Sequence, residues 1–173
     1  RVISRQGARM RSPLVFVFTG QGPQWWAMGR QLLAREPVFR KAVHDIDAIL
    51  QPLARFSLIE EMTRSERDSR INRTDVAQPA IFAVQVGLAE LWKSWGIQPS
   101  QVIGHSVGEV AAAYCAGIYS LEDAVTIIFH RSRLQNTTGG HGRMLAAGIT
   151  ASEARALIGA DAERVQIAVL NSP

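Results

Sequence analysis

The feature that most constrains this chain is a five-residue pattern, Gly104-His105-Ser106-Val107-Gly108. It stands between a short strand-like stretch, Gln101-Val-Ile-Gly104, and an alanine-rich helical run that continues to about Ala116 before Gly117 stops it. Glycines on both sides allow a sharp turn and close packing of strand on helix, which leaves the serine hydroxyl exposed at a strained corner. The helix that follows directs its first amides at that hydroxyl and so favours negative charge developing there. The pattern therefore points to Ser106 as a nucleophile in acyl chemistry. It does not say which acyl chemistry, since esterases, thioesterases and transferases can all be built on such a turn.

The flanking sequence predicts alternating strands and helices. Leu14-Val-Phe-Val-Phe18 is a continuous apolar run, expected to be a strand buried on both faces. Thr19-Gly-Gln-Gly-Pro23 reads as a turn, and a helix is expected from Trp26 to Arg35. Val38 to Leu50 carries apolar residues at helical spacing. The highly charged stretch 63–75 reads as a surface connection. Asp75, with Pro79 close behind, marks a helix start with an acidic cap, and that helix ends before Gly96. A further helix is expected over Leu121–Leu134. After a glycine-rich junction at 136–142, Met144–Ile149 and Val165–Leu170 read as strands around a helix at Ala151–Ile158. Such alternation argues for an α/β fold with a parallel sheet.

Composition narrows the functional classes. The 173 residues are 47% apolar and 20% charged, as in an ordinary globular domain. Net charge is +4, but Arg1, Arg5, Arg9 and Arg11 stand in the first eleven residues without an acid, so the remainder is close to neutral. A basic tail of this kind is no clustered cationic surface, and nucleic acid is not an expected partner. The single cysteine, Cys115, excludes an internal disulfide and the Cys-rich zinc patterns, and suits a cytoplasmic setting. It is expected to be packed core. No apolar run is long enough to span a membrane, and no metal site is expected. The four tryptophans, Trp25, Trp26, Trp92 and Trp95, read as packing residues. With no initiating Met and an apolar run close to Pro173, the chain reads as a piece of a longer polypeptide.

The larger pattern is more specific than the elbow. Phe16-Val-Phe-Thr-Gly-Gln-Gly22, Gln78-Pro-Ala80, Gly104-His-Ser-Val-Gly-Glu109, Arg131 and Asn171-Ser-Pro173 together resemble the acyltransferase domain of polyketide synthases and fatty acid synthases, in register from about residue 13 onward. The resemblance implies an α/β-hydrolase-like large subdomain over 13–141, with its parallel sheet flanked by helices. It further implies the first β-α-β of a ferredoxin-like small subdomain over 142–173, and a linker from a neighbouring ketosynthase over 1–12. It implies a reaction in which Ser106 accepts a malonyl-type group from coenzyme A and passes it to the phosphopantetheine thiol of an acyl carrier protein. No cofactor is expected beyond the coenzyme A thioester as substrate and the phosphopantetheine on the partner. By position, the backbone amides of Gln21 and Val107 are the expected oxyanion hole, and Gln78 and His105 line the site. Arg131 is the expected holder of the free carboxylate: guanidinium binds carboxylate through paired hydrogen bonds and stays charged. Arg133 is read as surface.

The resemblance also implies a general-base histidine well downstream of the elbow. The histidines present are His44, His105, His130 and His141, none at that position, so the 173 residues alone are expected to be inactive or nearly so. The extender unit has two conflicting signals. Val107 favours malonyl-CoA, whereas Arg73-Thr-Asp-Val-Ala-Gln78 partly resembles methylmalonyl-CoA-selective relatives; malonyl is the reading adopted. Two other readings stay open: a serine esterase or thioesterase of α/β-hydrolase type, and a non-catalytic scaffold piece of a multienzyme.

Overall fold

The computed structural model describes residues 13–140 and 142–171. The expected linker at 1–12, His141 and the last two residues lie outside the described residues. The chain divides between Gly139 and Gly140 into two compact units.

In the first unit, β1 (Val15–Phe18) and β2 (Gln101–Gly104) pair in parallel, with Val15 opposite Gln101 and Phe18 opposite Gly104. His105 extends the pairing, its amide donating to the Phe18 carbonyl at 2.9 Å. Between the strands run α1 (Arg30–Arg35), α2 (Pro37–Ala54), α3 (Leu58–Thr63) and α4 (Thr74–Ser94). After β2 come α5 (Gly108–Cys115) and α6 (Leu121–Thr137). Helix α5 packs on both strands, and α4 packs against α2, α5 and α6. Burial follows from the apolar stripes: α2 contributes Phe39, Val43, Ile46 and Leu50, and α4 is buried over most of its length. Phe39 and Gly87 set how closely α2 and α4 approach, since a Cβ on Gly87 would lie 2.7 Å from the Phe39 ring.

Several sequence expectations need correction. β1 is not buried on both faces: Val17 is 66% exposed, and so is its pair Ile103 at 56%. Helix α5 covers one face, and no layer among the described residues covers the other. The helix expected from Trp26 starts only at Arg30, because Ala27 and Gly29 adopt left-handed φ values of 70° and 75°. Asp75 is not the cap of α4. That position is Arg73, and Asp75 sits in the first turn and pairs with it at 2.7 Å. Trp25, Trp92 and Trp95 are exposed rather than packed; Trp92 and Trp95 meet edge to face at 5.2 Å. Trp26 is half-buried, with its indole N–H donating to the Arg64 carbonyl at 2.8 Å and Arg30 lying over its ring. Cys115 is half-buried at the edge of the core.

The charged stretch 63–75 is a connection, but an ordered one. Glu61, 3% exposed, accepts from Arg70 Nε at 3.0 Å and from Arg64 Nε at 2.8 Å. Burial pushes the Glu61 carboxyl up, but the hydrogen bonds and charges of Arg70 and Arg64 outweigh it and hold it below the ordinary carboxylate range.

In the second unit, α7 (Ala151–Ile158) forms where expected. Thr150 and Glu153 cap it reciprocally, the Thr150 hydroxyl accepting from the Glu153 amide while Glu153 accepts from the Thr150 amide. The strands expected at 144–149 and 165–170 are not formed, and both segments are largely exposed. An apolar run becomes a strand only when a neighbour takes up its backbone donors and acceptors, and neither segment has such a neighbour among the described residues.

Candidate active site

The site is built at the end of β2. Glycine is required at both ends of the turn for space rather than for backbone angle. A Cβ on Gly104 would lie 2.4 Å from the Glu109 Cα, and one on Gly108 only 2.2 Å from the Phe18 carbonyl oxygen. With strand and helix held this close, the turn must be made by the residue between them. Ser106 adopts φ 55°, a left-handed conformation uncommon for a side-chain-bearing residue. Its carbonyl accepts from the Glu109 amide at 3.1 Å, and α5 follows directly. The loop after β1 lies alongside, since a Cβ on Gly20 would be 2.9 Å from the His105 ring and 3.4 Å from the Ser106 Cβ.

Arg131 reaches this turn from α6. Its Nη2 donates to Ser106 Oγ at 2.9 Å. Its Nη1 donates to Gln78 Oε1 at 2.6 Å and to Gln135 Oε1 at 3.1 Å. Gln78 is fully buried on α4, yet every polar atom of its amide is engaged. Its Nε2 donates to Gln21 Oε1 at 3.0 Å and to Gln135 Oε1 at 2.6 Å. Gln21 in turn donates to Thr74 Oγ1, tying the loop after β1 to the start of α4. No carboxylate pairs with Arg131 among the described residues.

The structure thus brings together Ser106, Arg131, Gln78 and Gln21, four residues the sequence singled out from four separate segments. Val107 is fully buried at the cap of α5, directly after Ser106. His105 is exposed beside Gly20. His44 on α2 and His130 on α6 are both exposed, and His130 rests edge-on against Phe129. None of these three histidines is hydrogen-bonded to Ser106. Sequence reasoning missed Gln135. The only available signal was its position one helical turn after Arg131, and that acquires meaning only once Arg131 is known to face the elbow.

The arrangement is a hydroxyl on a strained turn at a helix N-terminus, within hydrogen-bond reach of an arginine fixed by neutral acceptors. It is suited to acyl transfer of a group that carries its own negative charge. Comparison with known proteins agrees with the class. Residues 15–173 match the family described as acyl transferase domain, and the chain belongs to that family. It is 42% identical over 167 residues to erythronolide synthase EryA3 of Saccharopolyspora erythraea, covering 96% of this chain and 5% of that protein. It is 43% identical to mycoketide-CoA synthase of Mycobacterium tuberculosis, covering 99% of this chain and 4% of the relative. Among solved structures, the acyltransferase domain from module 8 of the salinomycin polyketide synthase superposes with TM-score 0.79 at 38% identity, over 92% of this chain and 38% of that one. The acyltransferase domain of the polyketide synthase PpsC of Mycobacterium tuberculosis gives 0.75 at 36% identity, over 84% and 44%. The chain therefore spans about a twentieth of the length of the curated relatives it matches. Among the described residues, no helix is long and apolar enough to cross a membrane.

Proposed function

We propose that the chain is the nucleophile-bearing part of an acyltransferase within a polyketide synthase. It takes a malonyl-type unit from its coenzyme A thioester and delivers it to the phosphopantetheine thiol of an acyl carrier protein. In the first half-reaction Ser106 Oγ adds to the thioester carbonyl. The oxyanion is met by the amides of Gln21 and Val107 and by the N-terminal end of α5. Collapse breaks the C–S bond, and the leaving thiolate takes up the proton that Ser106 gave up. In the second half-reaction the carrier thiol adds to the acyl-serine ester, the C–O bond breaks, and Ser106 regains its proton. Throughout, Arg131 holds the distal carboxylate of the unit, a methylene away from the reacting carbonyl.

The proton of Ser106 needs an acceptor, and the partner of Oγ among the described residues is Arg131, which only donates. The proposal therefore includes a general-base histidine from outside the described residues. Malonyl is the unit proposed over methylmalonyl, on the resemblance of Val107, directly after the nucleophile, to malonyl-selective relatives.

One observation carries the reading: Arg131 Nη2 lies 2.9 Å from Ser106 Oγ. A hydrolase of neutral esters has no use for an unneutralised guanidinium beside its nucleophile. The test is competition between malonyl-CoA and acetyl-CoA for loading in the intact synthase. Arg131→Ala is expected to reduce the malonyl preference by about two orders of magnitude, the scale of losing a charge-assisted bidentate contact. An unchanged preference would rule the reading out.

A further inference from the structure

We propose that Gln135 is a specificity-positioning residue, which fixes the direction of the Arg131 guanidinium and preserves its full charge for the incoming carboxylate. The inference rests on the reading of Arg131 as the carboxylate holder. Gln135 Oε1 stands at a junction, accepting from Arg131 Nη1 at 3.1 Å and from Gln78 Nε2 at 2.6 Å. The second bond matters as much as the first. Gln78 has two donor hydrogens, and Gln135 and Gln21 accept them both, so its carbonyl oxygen is the atom left for Arg131. Were Gln78 flipped, it would set an N–H against a guanidinium N–H. Gln135 thus orients Arg131 directly and again through a fully buried amide. With Nη1 occupied on that side, Nη2 is the edge turned to Ser106.

The chemical type of the acceptors decides the electrostatics. Two amide oxygens satisfy the Nη1 hydrogens without bringing a negative charge. A carboxylate in either place would make the same hydrogen bonds and neutralise the cation, competing with the carboxylate of the acyl unit. Glutamine at 135 therefore does what glutamate of the same shape could not. Gln135 is itself exposed, and Gln135→Glu keeps the oxygen that accepts from the fully buried Gln78 amide.

The test uses Gln135→Glu and Gln135→Met in the intact synthase, with Arg131→Ala alongside, reading KM and kcat for malonyl-CoA and acetyl-CoA loading. Gln135→Glu keeps the acceptor geometry and is expected to raise KM for malonyl-CoA about tenfold, a larger effect than on kcat, and to lower the preference for malonyl-CoA over acetyl-CoA by a similar factor. Gln135→Met keeps the charge but loses the orientation, and is expected to raise the malonyl-CoA KM about threefold. A malonyl-CoA KM unchanged in Gln135→Glu, or equal losses for both thioesters, overturns the role of Gln135, while a collapsed preference in Arg131→Ala leaves the clamp standing. An intact preference in Arg131→Ala overturns the clamp itself, and the role of Gln135 with it.

Discussion

Gly108→Ala isolates the spatial requirement of the elbow from every other property of the residue. Gly108 is the first residue of α5 and its backbone is ordinary helix, so alanine costs nothing in φ and gains up to about 1 kcal/mol in helix propensity. Against this, the new Cβ would stand 2.2 Å from the Phe18 carbonyl oxygen and 2.6 Å from that of Thr19. Ordinary contact begins at 3.4 Å, so strand and helix must separate by more than an ångström. The obstacles are backbone atoms at the end of β1 and of the residue after it, which cannot rotate aside. Overpacking of this kind costs about 1–3 kcal/mol, and more where backbone must move. The net loss is then about 2 kcal/mol, or roughly 4–8 °C in Tm for a chain of this size. The same separation carries Ser106 away from Arg131, and misplacement by about 1 Å is expected to slow acylation about a hundredfold. Differential scanning calorimetry and single-turnover loading read the two effects. Gly148→Ala is the control, because nothing lies within 4 Å of its Cβ position. If Gly108→Ala melts with the parent and loads at the parent's rate, the close-approach argument is wrong.

Gly87→Ala drives a Cβ to 2.7 Å from the fully buried Phe39 ring, and a stability loss of about 1 kcal/mol after the propensity gain, read as a lower urea midpoint, is expected where an exposed helix would be stabilised. Glu61→Gln leaves Arg64 and Arg70 without their carboxylate. Because both arginines are well solvated, the expected cost is about 1–2 kcal/mol rather than that of a fully buried pair. The folded-state pKa of Glu61 lies below its reference of 4.5, so this contribution is complete above that pH and is lost as pH falls through the lowered value. Denaturant titrations should show parent and variant differing equally at pH 6 and 8, and converging in acid.

Much of the site was legible because its parts are local. Gly104, Ser106 and Gly108 fall within five residues, and the demand for glycine there is a short-range steric one. The stripe of α2 and the Thr150–Glu153 cap of α7 are likewise set by neighbouring residues. What escaped depends on partners distant in sequence. Val17 and Phe18 are indistinguishable as apolar residues, and only the placement of α5 decides which is covered. The segments 144–149 and 165–170 have strand composition, but composition supplies no hydrogen-bonding neighbour. Glu61 is one acid among many near a charged connection until Arg64 and Arg70 fold onto it. Gln135 has no motif at all, and its part emerges only from the convergence of α4 and α6 on the turn after β2.

The central claim is that the Ser106 hydroxyl carries the acyl group. It is tested most directly by incubating the intact synthase with malonyl-CoA and locating the added mass by peptide mapping. A malonyl ester is expected on the peptide containing Ser106, absent from Ser106→Ala and released on addition of a phosphopantetheine thiol. A malonyl group found on another side chain, or formed to the same extent in Ser106→Ala, would contradict it.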